Sequence, residues 1–142
     1  METDLHIKVK GFNETTGNHV AYCLLDMVCT FAEGENALDF RRMHRIIVTN
    51  DFAGELAELS AATVSGNPIE HTNEDYAVAI AKVLLLPRGD EIEILPVVSA
   101  NLAAGLVAKD PSHYDSKIFR SALHIIHHEL CHVHDDNKKI DA

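Results

Sequence analysis

The sequence predicts an α+β domain, a small mixed sheet followed by one long amphipathic helix near the C-terminus. Two observations predict it. Runs of alternating or β-branched residues recur through the first hundred positions, interleaved with segments at helical spacing. After the break at Asp110-Pro111-Ser112, apolar residues return at a helical period that lasts to Asp136.

In chain order, Leu5–Lys10 ("LHIKVK") alternates as a short strand does. Val20, Leu24, Val28 and Phe31 then mark one face of a helix, with Thr16 or Asn18 as its expected cap. His44–Asn50 is rich in β-branched residues and reads as a buried strand. Phe52, Leu56 and Leu59 restore helical spacing, and Gly66 is the expected stop. Gly66–Asp75 is a polar loop. Tyr76–Leu86 and Glu91–Val98 flank a turn at Pro87–Asp90 and form an antiparallel hairpin, with a turn longer than the two-residue types. Ser99–Asp110 fits strand or helix equally. A final helix runs from about Ser116 to Asp136.

At 142 residues, 46% hydrophobic and 24% charged, the chain is expected to form a single domain, residues 1–142, with a sizeable core. No apolar run reaches the roughly 20 residues that span a bilayer. The N-terminal stretch has no apolar segment of the kind a signal peptide needs. The net charge of −10 argues against nucleic acid and anionic membrane as partners, since both require a positive surface. Cys23, Cys29 and Cys131 match no disulfide framework or metal knuckle, so a cytoplasmic setting is expected. Cys23 and Cys29 read as buried packing residues.

The chemistry concentrates in "HIIHHELCHVHDD", His124–Asp136. Within it lies His128-Glu129-Leu130-Cys131-His132, the pattern HExxH. On a helix, residues four apart share one face about 6 Å apart along the axis. Two imidazoles there can converge on one Zn²⁺, each about 2.0–2.1 Å from it. The glutamate beside the first histidine reaches a metal-bound water and can take its proton. At about 100° per residue, Ile118, Phe119, Ala122, Leu123, Ile126, Leu130 and Val133 form one apolar arc. His128 and His132 fall opposite, and Glu129 lies at the border. His124 and Asp135 are candidate supports on the ligand side. His127 and His134 are expected to face solvent, and Cys131 to pack.

At these residues the chain resembles the zincins, the HExxH zinc metallopeptidases. The resemblance is specific over Lys117–Asp136 and loose over the preceding αβ region. It implies a twisted sheet packed on the motif helix, His128 and His132 as zinc ligands, and Glu129 as general base. It also implies a peptide or protein substrate, paired with an edge strand that Glu91–Val98 or Tyr76–Leu86 would supply. Catalytic zinc usually takes three protein ligands. The metzincin pattern HExxHxxGxxH is excluded, because Asp135 and Lys138 stand at its glycine and third histidine. The gluzincin pattern takes a glutamate from a later helix, and "NKKIDA" contains none. The third ligand is then upstream, where Glu70, His71, Glu74, Asp75 and His113 are candidates, or beyond residue 142. The preferred expectation is the N-terminal αβ part of a gluzincin-type peptidase. The alternative is a non-enzymatic zincin-like regulatory or interaction module.

Overall fold

The computed structural model describes residues 5–60, 80–107 and 117–141. Within them the architecture is α+β, a mixed four-stranded sheet with four helices. The strands are β1 (His6–Val9), β2 (Arg45–Thr49), β3 (Ala81–Arg88) and β4 (Glu91–Ser99), in spatial order β1-β2-β4-β3. β1, β2 and β4 are parallel, and β3 returns antiparallel along the edge. The helices are α1 (Glu14–Phe31), α2 (Phe52–Ser60), α3 (Ala100–Ala104) and α4 (Lys117–Asp141). A 3-10 turn, Gly105–Val107, extends α3. None of these helices is long and apolar enough to cross a membrane.

The sheet is buried on both faces, which is why β2 reads as an unbroken apolar run rather than an alternation. Ile46 and Val48 join Ile94 and Val98 under α1, α3 and α4. The intervening Ile47 packs with Leu84, Leu86, Leu95 and Val97 against Phe52 and Leu56 of α2. β4 pairs with β2 only from Val97 onward, so Pro96, which lacks a donor, does not interrupt that ladder.

Several boundaries differ from the sequence expectation for identifiable reasons. α1 is capped by Asn13, whose side chain accepts from the Thr16 N–H at 2.8 Å, so the helix begins before its apolar stripe does. The hairpin turn is a two-residue one. Arg88 pairs with Glu91, and Gly89 takes φ +62° while Asp90 does not go positive, the glycine-first pattern of a tight hairpin. The ambiguous Ser99–Asp110 segment begins as a helix, with Ser99 accepting from the Leu102 N–H. α4 runs five residues past Asp136, through Asn137–Asp141. Lys138 and Lys139 in its last turn complement the negative end of the helix. Gly66 lies outside the described residues.

The motif helix α4 lies against β3, β4 and the 3-10 turn. Gly105 permits the last contact: a Cβ there would sit 2.9 Å from the Ala122 Cβ. Cys23 and Cys29 are free and half-buried rather than fully buried, and burial beside Asp26 pushes the Cys23 thiol pKa up.

Candidate metal centre

α4 is organised by its buried stripe. Ala122, Ile126, Leu130, Val133 and Asn137 are each at most 2% exposed and follow one another at three- and four-residue steps. Phe119 and Leu123 flank the stripe, half-buried. Ile118, expected on the arc, is 65% exposed. With this stripe anchored, His128 and His132 face outward and are exposed, and Glu129 is half-buried between the wet and dry sides.

The two imidazoles are brought together. Their Nε2 atoms are 3.0 Å apart, with ring centroids 4.6 Å apart and planes at 89°. Two nitrogens about 2.05 Å from one tetrahedral ion stand about 3.3 Å from each other, so the pair already has nearly the spacing of two ligands on one metal. Glu129 completes the group, whose candidate ligand atoms lie within 4.8 Å of one another. The three residues could therefore hold a metal ion.

Burial raises the Glu129 carboxyl above its usual range, against the opposing positive influence of His132, His128 and Lys82. Lys82 comes from the edge strand β3, and nothing in the sequence distinguished it. Burial also raises Asp136, which feels Lys139 and His132 in the opposite sense. Asp135 is exposed, and among the described residues it makes no hydrogen bond to the His128 or His132 imidazole. His124 is exposed one turn before His128. The candidates Glu70, His71, Glu74, Asp75 and His113 lie outside the described residues.

His127 and His134 are half-buried rather than solvent-facing. The His127 ring lies tilted against Phe31, centroids 4.6 Å apart, and its Nε2 is 3.8 Å from the Cys131 sulfur. His134 accepts the Asp39 backbone N–H at its Nδ1, 2.8 Å away. That contact belongs to a clamp on the C-terminal half of α4. Asn137 donates to the Asp39 carbonyl at 2.7 Å and to the Val133 carbonyl at 3.2 Å, and it accepts from the Arg42 guanidinium at 2.9 Å. Arg41 and Arg42 also pair with Asp141. An asparagine at the next position of an apolar stripe was the sequence signal for this clamp.

No known protein family, curated protein or solved structure matches the chain. The candidate metal centre therefore rests on the residues and geometry above.

Of the two segments expected to offer an edge strand, β4 is interior and β3 is the edge. β3 also carries Lys82, whose positive charge acts on the Glu129 carboxyl.

Proposed function

We propose that this chain carries a zinc-dependent peptide-hydrolysing site of the zincin type, with His128 and His132 as zinc ligands and Glu129 as general base. The observation that carries this reading is the imidazole pair, nitrogens 3.0 Å apart, beside a half-desolvated carboxylate on the same helix. Bound zinc would supply a Lewis acid for the attacking water and the scissile carbonyl. Glu129 accepts the proton of the attacking water at a carboxylate oxygen and delivers it to the leaving amine. Its raised pKa suits both halves of that task, because a base nearer neutrality also returns the proton more readily. β3 is an edge strand of the described sheet, and an extended peptide can add to such an edge by main-chain hydrogen bonds.

A second reading, a zincin-like regulatory or interaction module, draws support from the ligand count. Among the described residues the group offers two imidazoles and Glu129, where catalytic zinc takes three protein ligands. One pair of measurements separates the readings. Zinc content and zinc-dependent peptide hydrolysis are compared between the wild type and Glu129→Gln. The peptidase reading expects both proteins to bind zinc and the variant to lose roughly 10²–10⁴-fold in rate. Unchanged hydrolysis in Glu129→Gln would overturn the assigned base. Stoichiometric zinc without hydrolysis in either protein would favour the module.

A further inference from the structure

A cleft of about 320 Å³ opens beside the N-terminal half of α4, lined by Phe31, Arg120, Leu123, His124 and His127. Its floor is apolar. Phe31 and Leu123 pack on the core, and the His127 ring lies tilted against Phe31 at 4.6 Å. Its polar groups are all nitrogen bases, in a chain whose net charge is −10. Arg41, Arg42 and Arg45 each hold a carboxylate. Arg120 is exposed and, among the described residues, has none within ion-pair distance.

The position of the cleft relates it to the metal centre. His124 is one helical turn from His128, and Arg120 is two, or about 6 and 12 Å along the axis. An extended peptide advances about 3.3 Å per residue. A peptide with its scissile bond over the imidazole pair that continues toward the N-terminal half of α4 therefore has a group two to four residues away within reach of the cleft.

We propose that this cleft is a substrate subsite for a peptide carboxylate, held by the Arg120 guanidinium and the imidazole N–H of His124, with its aliphatic stem on Phe31 and Leu123. A guanidinium binds a carboxylate through paired N–H donors, and an apolar floor strengthens that contact by displacing water. The carboxylate comes from an aspartate or glutamate side chain or from the peptide C-terminus, since both present the same two oxygens. The proposal rests on the peptidase reading for the identity of the ligand, and its test does not need turnover.

Fluorescent peptides are titrated into the zinc-loaded Glu129→Gln variant of the whole chain and followed by anisotropy. One capped peptide carries a single internal glutamate, and its isostere carries glutamine. A neutral third is compared with its C-terminus free and amidated. A carboxylate of either source should bind about three- to fivefold tighter than its uncharged counterpart, the range of a partly exposed ion pair. Which pair shows the preference identifies the source. The advantage should vanish with Arg120→Gln, persist in part with Arg120→Lys, and shrink as salt is raised. Equal affinities, a preference that survives Arg120→Gln, or no peptide binding at all would overturn the subsite. Charge-selective binding with no hydrolysis by the wild type would leave the subsite standing and sink the peptidase reading. Hydrolysis indifferent to peptide charge would do the reverse.

Discussion

Replacing Asn137 with alanine tests how the helix that carries the candidate metal site is held. Asn137 is fully buried and makes three hydrogen bonds from one amide. The bond to Val133 costs least to lose, because that carbonyl also lies within the helix ladder. The Asp39 carbonyl would lose its amide donor, worth about 1 kcal/mol net. The Arg42 contact is charge-assisted and worth about 1.5–3 kcal/mol when dry. It belongs at the low end here, because Arg42 stays 25% exposed and keeps Asp141 as a partner. The sum is about 2–3 kcal/mol. For a chain of this length that lowers the melting temperature by roughly 6–12 °C.

Urea denaturation gives the free energy and a thermal scan the midpoint. Asn137→Asp sharpens the test. It keeps an acceptor for Arg42 but turns a second oxygen toward two carbonyls, so it should destabilise at least as much as alanine. A loss below about 0.5 kcal/mol in Asn137→Ala, within the range of ordinary surface changes, would refute the clamp as a stabilising device.

Gly105→Ala should destabilise by about 1–3 kcal/mol, since its Cβ would overlap Ala122, and Gly105→Ala/Ala122→Gly should cost less than the sum of the single changes in a double-mutant cycle. Acid should weaken the clamp. Hydrogen bonds from Arg41 and Arg42 hold Asp39 and Asp141 respectively below the usual carboxylate range. Their contribution is therefore complete above about pH 4 and lost as pH falls through the lower folded values. Asp39→Asn/Asp141→Asn should flatten that part of the stability profile, read from denaturation midpoints between neutral pH and pH 2.

What the sequence made legible follows from periodicity. His44–Asn50 announced a buried strand, and the HExxH spacing placed both histidines on one side of a helix. Period alone says which face a residue occupies and nothing about what meets it. His127 and His134 were therefore assigned to solvent, although Phe31 and Asp39, about a hundred residues earlier in sequence, cover them. The end of α4 was missed because Asn137, a polar residue, continues the buried stripe. The tight turn was missed because it depends on a positive φ at Gly89. Lys82 was invisible at the site because only the tertiary fold carries its charge to Glu129.

The border position of Glu129 explains how one helix can serve three ends. A full turn is divided among an apolar stripe, an exposed histidine ridge and, between them, a carboxylate that loses part of its water without being sealed off. The net upward shift of its pKa means that burial outweighs the three positive groups acting on it. Lys82 is the one among them that is neither a proposed ligand nor on the same helix. Removing its charge in Lys82→Met takes away a term that favours the ionised form, so the Glu129 pKa should rise further. This direction holds whatever other charges are present, because only the lysine changes. A general base must be ionised to act, so its activity is lost as pH falls through its pKa. The acid limb of kcat/KM should therefore move to higher pH in Lys82→Met, with the alkaline limb in place. An acid limb that stays put or moves lower would show that Lys82 does not act on the base.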